Sequence, residues 1–197
     1  MLVLELREQD LGRDDLGRNE WQVREWTERI PPDNVALLLC DVWDTHWCRG
    51  AVERLEAMIP RMNETVAAAR RSGVLIVHAP SGTMDKYEET PARQRVKEAP
   101  SALPQELERD DPPMPIDASD HGSDTGEIKT GRPYSRQHSG IEIDQTSDLI
   151  SDDGREVYNA LVHGKRDRML ILGVHTNMCV VGRSFGIKQM VRWGIKP

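Results

Sequence analysis

Cysteine is scarce in this chain. There are three in 197 residues, Cys40, Cys48 and Cys179, an odd number with no Cys-x-x-Cys pair among them. That count argues against a disulfide framework and for a reducing, cytoplasmic setting. Long apolar runs are missing too, so no segment reaches the ~20 residues of a membrane-spanning helix. The opening stretch, Met1-Leu-Val-Leu-Glu-Leu-Arg7, is too short and too charged for a signal peptide. Excess positive charge is also lacking: the formal net charge is −7 at pH 7. Non-specific nucleic-acid binding and anionic-membrane binding both need a basic face, so neither partner is expected.

What is present suits one globular domain with a sizeable core and a polar surface, with 38% hydrophobic and 30% charged residues. The apolar run Val35-Ala-Leu-Leu-Leu-Cys40 predicts a strand buried on both faces, as in a parallel sheet. Val52, Leu55, Met58, Ile59, Met62, Val66 and Ala69 recur at three- and four-residue steps and predict a helix. Pro60 should break it and start a fresh helix, and Gly73 should close it. Residues 74–77 read as a second buried strand and 140–143 as a third, short one. Ser151-Asp-Asp-Gly reads as a cap for a helix with Val157, Ala160 and Leu161 facing inward. A fourth strand is expected at 169–172 and a last helix from about 177 to 192, after which a doubly wound domain would normally run into another strand. This alternation predicts an α/β fold with a mostly parallel sheet and right-handed crossovers.

Two segments stand apart from that alternation. Residues 1–33 form an N-terminal arm in which Leu2, Leu4 and Leu6 alternate with Val3, Glu5 and Arg7, the pattern of an edge strand or hairpin. Trp21 and Trp26 are expected to anchor it. Residues 81–138 are rich in Pro, Asp, Glu, Arg and Gly. A long structureless stretch of this kind is either a lid or binding insertion, or a mobile surface excursion.

In open parallel sheets, sites form beyond the carboxyl ends of the strands. The first predicted strand ends in Asp41, followed by Val-Trp-Asp44-Thr-His46; the second ends in His78; the fourth runs through Gly173-Val-His175-Thr to Cys179. A cysteine between a strand end and a helix start lies where N–H groups and the helix dipole favour negative charge, which should lower its pKa and make it a nucleophile. Asp41 can take the thiol proton, the thiolate can attack a carbonyl carbon, and backbone N–H groups can hold the oxyanion. Asp44, His46 and His78 are expected to bind substrate. The same three could hold a divalent metal, or be hydrogen-bonded wall residues. Cys40 and Cys48 read as structural. The acidic run Asp117, Asp120, Asp124 reads as a solvated loop, with divalent-ion binding the alternative.

These pieces resemble the isochorismatase-like cysteine hydrolases, a family that includes the nicotinamidases. The resemblance rests on Ala36-Leu-Leu-Leu-Cys-Asp41, Ala69-Arg-Arg-Ser-Gly73 with the strand after it, and Leu170-Ile-Leu-Gly-Val-His-Thr-Asn-Met-Cys179-Val. It covers roughly residues 34–80 and 140–195. It implies a three-layer α/β/α fold of Rossmann-like topology and an Asp-Lys-Cys triad. Asp41 would then be the base and Cys179 the nucleophile, with a cis peptide joining Val174 to His175 and the N–H groups of His175 and Cys179 forming the oxyanion hole. The family's lysine follows the third strand, yet Ile143-Asp-Gln-Thr-Ser-Asp-Leu-Ile150 holds none. A cation is needed beside Asp41 and the thiolate to hold both charges. Lys129 ranks first for that role, ahead of Arg136 or a protonated histidine.

The resemblance implies a hydrolase of a small amide or related C–N bond, with a small-molecule substrate, no required cofactor and a homo-oligomeric assembly. The nicotinamidase metal motif has no clean counterpart after the second strand. The alternative is a non-catalytic relative that kept the fold, lost the lysine and serves as a binding or assembly module.

Overall fold

A computed structural model describes residues 1–111, 119, 121 and 123–197. The chain divides into two compact units, Met1–Pro32 and Asp33–Pro197. In the first, strands β1 (Leu2–Arg13) and β2 (Asn19–Ile30) form an antiparallel hairpin with Leu2 opposite Ile30 and Arg13 opposite Asn19. The turn is set by Asp14, whose carboxylate accepts the N–H groups of Leu16 and Arg18, and by Gly17 at φ 76°, a conformation open to glycine. Trp21, expected as an anchor, is 63% exposed. It lies an odd number of residues from Trp26, so the two rings take opposite faces of the ribbon.

The second unit contains β3 (Val35–Cys40), α1 (Arg49–Arg71), β4 (Leu75–Ala79), α2 (Pro91–Lys97), β5 (Leu149–Ile150), α3 (Gly154–His163), β6 (Arg168–Gly173) and α4 (Ile187–Arg192). The four strands from β3 to β6 make an all-parallel sheet in the order β5-β4-β3-β6. It is an α/β fold with helices flanking a parallel sheet. Every residue of β3 is buried, as its unbroken apolar run requires. The chain steps from β3 to β4 to β5, then returns to place β6 on the other side of β3. The direction reverses between β3 and β6, so the crevice of this sheet opens beyond Cys40 and Gly173. On the far side of β6, Lys196 makes a single parallel bridge with Arg168.

Four sequence expectations are corrected. First, α1 runs unbroken through Pro60. The buried stripe Leu55, Ile59, Met62, Val66 keeps its phase across the proline, and burial of that face outweighs one lost hydrogen bond. Second, the third strand is not 140–143 but the two-residue β5, which pairs with Val77 and His78. Ile141 is buried in a loop. Third, the stretch 81–138 is not structureless throughout. Thr90 caps α2 by accepting the Arg93 N–H, Pro91 occupies the first turn, and Ala92 and Val96 are buried. Fourth, the expected last helix is broken. A π turn at Thr176–Val180, continued through Gly182, is separated from α4 by a bend at Arg183–Gly186. There the backbone of Ser184 packs so closely on Gly154 that a Cβ at Gly154 would lie 2.1 Å from the Ser184 carbonyl oxygen.

Candidate active site

Asp41 follows directly from β3 and adopts φ 53°. A non-glycine residue in that region carries strain of about 1–3 kcal/mol and is held there by its surroundings. Its N–H donates to the Ala79 carbonyl at 3.0 Å. Its carboxylate is 2% exposed and both oxygens are used. Oδ1 accepts the Ser81 N–H at 2.9 Å, and Oδ2 accepts Arg183 Nε–H at 2.7 Å.

Cys179 lies in the π turn that follows β6, where Val180 N–H closes back on the His175 carbonyl at 3.2 Å. The thiol is half-buried and adjoins both the Asp41 carboxylate and the Arg183 guanidinium. Burial and the adjoining Asp41 carboxylate push it up to about 12, while Arg183 pulls it down. The helix-start argument pointed the other way. A helical stretch that stops after Gly182 has little dipole to offer, so desolvation and the like charge win. At neutral pH the resting pair is therefore a neutral thiol beside a carboxylate. The Val174–His175 peptide is trans, since no cis peptide occurs among the described residues.

Arg183 is the cation of this site. Its N–H donates to the Cys179 carbonyl at 3.1 Å, one α-helical turn on, which carries the guanidinium back over the thiol and onto Asp41. Lys129 lines the adjoining cavity, but the partner of Asp41 is Arg183. The backbone of Arg136 is bound to Asp44, and its side chain is outside the cavity.

Cys179 and Arg183 open into a cavity of about 540 Å³. One wall is aromatic. Trp43 stacks on Tyr134 with ring centres 3.9 Å apart and on His46 at 5.8 Å, and His46 lies 5.1 Å from the His175 ring. Trp43 is fixed by its Nε1–H to the Ser81 carbonyl, and the Arg183 guanidinium lies 5.8 Å over its ring. Tyr134 comes from the end of the insertion. That segment is clamped along residues 42–44 by Asp44 N–H to the Arg136 carbonyl and His138 N–H to the Val42 carbonyl. Burial, then the neighbouring His175, lowers His46 to about 4, so it is neutral at pH 7. Its Nδ1 accepts the Cys48 N–H, which leaves the proton on Nε2.

The structure brings Asp41, Cys179, His46, His175 and Lys129 to this crevice and leaves two expected residues out. The Asp44 carboxylate accepts from Ser135 N–H and Oγ–H and from Arg136 N–H. It ties down the insertion and does not line the cavity. His78 is fully buried on the sheet, where its Nε2 lies 3.0 Å from Asp148 and its Nδ1 2.6 Å from Gln137. His78 is the penultimate residue of β4, and its side chain points to the sheet face where Asp148 and Gln137 hold it, so it does not line the crevice. With it goes the Asp44–His46–His78 metal set: among the described residues no three His, Cys, Asp or Glu side chains gather to hold an ion. Asp124 pairs with Arg54, while Asp117 and Asp120 lie outside the described residues. Cys40 is buried behind the site and pushed far up by burial.

The sequence reading missed Arg183, Arg132 and the Trp43–Tyr134 wall. Arg183 had a signal, since a helix through Cys179 places the residue four further on along the same face. Tyr134 and Arg132 had none, because the insertion returns to the site through backbone pairing. No family model matches the chain, and no curated protein matches it.

Proposed function

We propose that this chain is a cysteine hydrolase acting on a small amide or related C–N bond, with Cys179 as nucleophile, Asp41 as base and Arg183 in place of the family's lysine. The observation that carries this reading is the buried Asp41 carboxylate, held by Arg183 and adjoining the Cys179 thiol, with Cys179 and Arg183 themselves lining the cavity. A structural ion pair would need neither the strained φ of Asp41 nor a thiol facing an open cavity.

In the reaction, Asp41 takes the Sγ proton as sulfur bonds to the carbonyl carbon. The carbonyl oxygen becomes an oxyanion, and the N–H groups of His175 and Cys179 are our candidates to receive it. The protonated Asp41 then gives its proton to the leaving nitrogen, the C–N bond breaks and a thioester remains. Water, deprotonated by Asp41, attacks that thioester, and the proton returns to sulfur as the acid leaves. Arg183 keeps the negative charge stable as it moves between Asp41 and sulfur.

The three-layer arrangement, homo-oligomeric assembly and a cytoplasmic setting belong to the same proposal. The free state of all three cysteines supports the last, and no described helix is long and apolar enough to cross a membrane. A rival reading, a binding module without catalysis, draws on the protonated resting thiol. The two are separated by ammonia release from a panel of small primary amides. The hydrolase releases ammonia and Cys179→Ala does not, whereas equal behaviour of both proteins rejects the hydrolase.

A further inference from the structure

The charge lining the cavity is opposite in sign to that of the protein. In a chain of net charge −7, the lining carries, among the described residues, Lys129, Arg132 and Arg183 against one carboxylate, Asp152. Asp152 is already engaged by the Gly82 N–H at 2.8 Å, and Arg183 is engaged by Asp41. Lys129 and Arg132 are different. Both are exposed, and among the described residues neither has a carboxylate partner. Arg132 lies against Gly82, its Nη1 3.3 Å from where a Cβ there would be, and Gly82 follows Ser81, whose N–H holds Asp41. The field of Lys129 reaches across the cavity, where it helps keep His46 uncharged. Two cations at the rim of a concave site, with no carboxylate partner among the described residues, raise the local concentration of anions and repel cations.

We infer that the substrate is an anion: a small, flat acyl compound whose carboxylate is received by Lys129 and Arg132, while the Trp43–Tyr134 wall guides its planar part and presents its carbonyl carbon to Cys179. This rests on the hydrolase reading for the role of Cys179, but the selection of anions does not. A guanidinium and an ammonium set beside an aromatic wall suit a planar carboxylate. The volume of about 540 Å³ suits a compound of metabolite size.

The test compares two alkylating probes that differ in charge alone, iodoacetate and iodoacetamide. Both react with the same thiolate, so the ratio of their rates at Cys179 cancels the thiol's pKa, and no turnover is needed. Rates are followed by peptide mass spectrometry at Cys179, with glutathione as the free-thiol reference. The expected ratio of iodoacetate to iodoacetamide exceeds that of glutathione by about tenfold or more at low salt. It should shrink as salt is added, because the cations are exposed, and fall to the glutathione value in Lys129→Met/Arg132→Met. A wild-type ratio at or below that of glutathione overturns the inference, and so does a raised ratio that survives in the double variant. If the ratio behaves as expected while no amide is hydrolysed, the hydrolase reading fails and the anion site stands.

Discussion

Arg183 Nε lies 2.7 Å from Asp41 Oδ2, although 142 residues separate them in the chain. The pairing spans the reversal point of the sheet: Asp41 ends β3, and Arg183 sits one turn past the cysteine that follows β6. With Asp41 almost fully buried and Arg183 partly so, removing the cation would leave a buried carboxylate uncompensated. Arg183→Met should lower amide turnover by about 10²–10³-fold, with Arg183→Lys intermediate because charge is kept and the fork geometry is not. Steady-state kinetics check this. A wild-type kcat for Arg183→Met would mean that the charge on Asp41 and sulfur is balanced elsewhere.

Asp41 has opposite effects on thiol reactivity and on turnover. Its carboxylate is among the causes that push Cys179 up to about 12, so Asp41→Asn should lower the thiol pKa and speed alkylation by iodoacetamide at about pH 8. The same variant should lose about two to four decades of turnover with its base. Alkylation rates and kcat measured on one preparation test both. Slower alkylation together with unchanged turnover would leave Asp41 as a structural cap.

The wild-type thiol should show no reactivity plateau near neutrality. With a pKa pushed up to about 12, its alkylation rate should climb about tenfold per pH unit from neutral to about pH 9. Lys129→Met should leave that slope and its midpoint in place, since Arg183 is the cation at sulfur. A plateau below about pH 8 in the wild type would mean that the thiolate is already stable in the resting site.

Acid stability depends on a second buried group. Burial alone would raise Asp148, but hydrogen bonds from His78, Arg70 and the Asp144 N–H hold it down at about 2. A carboxylate whose folded pKa lies below its ordinary 3.8 stabilises the fold above that ordinary value and loses the contribution as pH falls towards 2. The contribution is about 2 kcal/mol. Thermal melts should show wild type above Asp148→Asn at neutral pH, with the gap closing between about pH 4 and pH 2. A gap that is constant with pH would mean the substitution acts through packing alone.

What the sequence made legible was the part built from regular local pattern. The unbroken apolar run of β3 marked a strand buried on both faces, and a strand end followed by Asp41 or Cys179 marked the crevice. The missing parts depend on contacts distant in sequence. β5 is two residues long and is a strand only because β4 pairs with it. Pro60 stays helical because the stripe Leu55–Ile59–Met62–Val66 holds its phase. Tyr134 and Arg132 reach the cavity because residues 136–138 bind the backbone after β3, which no composition or periodicity encodes. The rise in the Cys179 pKa was likewise hidden, since it comes from burial and from a carboxylate whose side-chain direction the sequence does not state.

The most direct test is acid-quenched peptide mass spectrometry during turnover of whichever amide in the panel releases ammonia fastest. An acyl group bound to the peptide carrying Cys179, absent in Cys179→Ala and formed far more slowly in Arg183→Met, is the expected result. An acyl group on another residue, or ammonia release by Cys179→Ala at the wild-type rate, would contradict the assignment of Cys179 as the nucleophile.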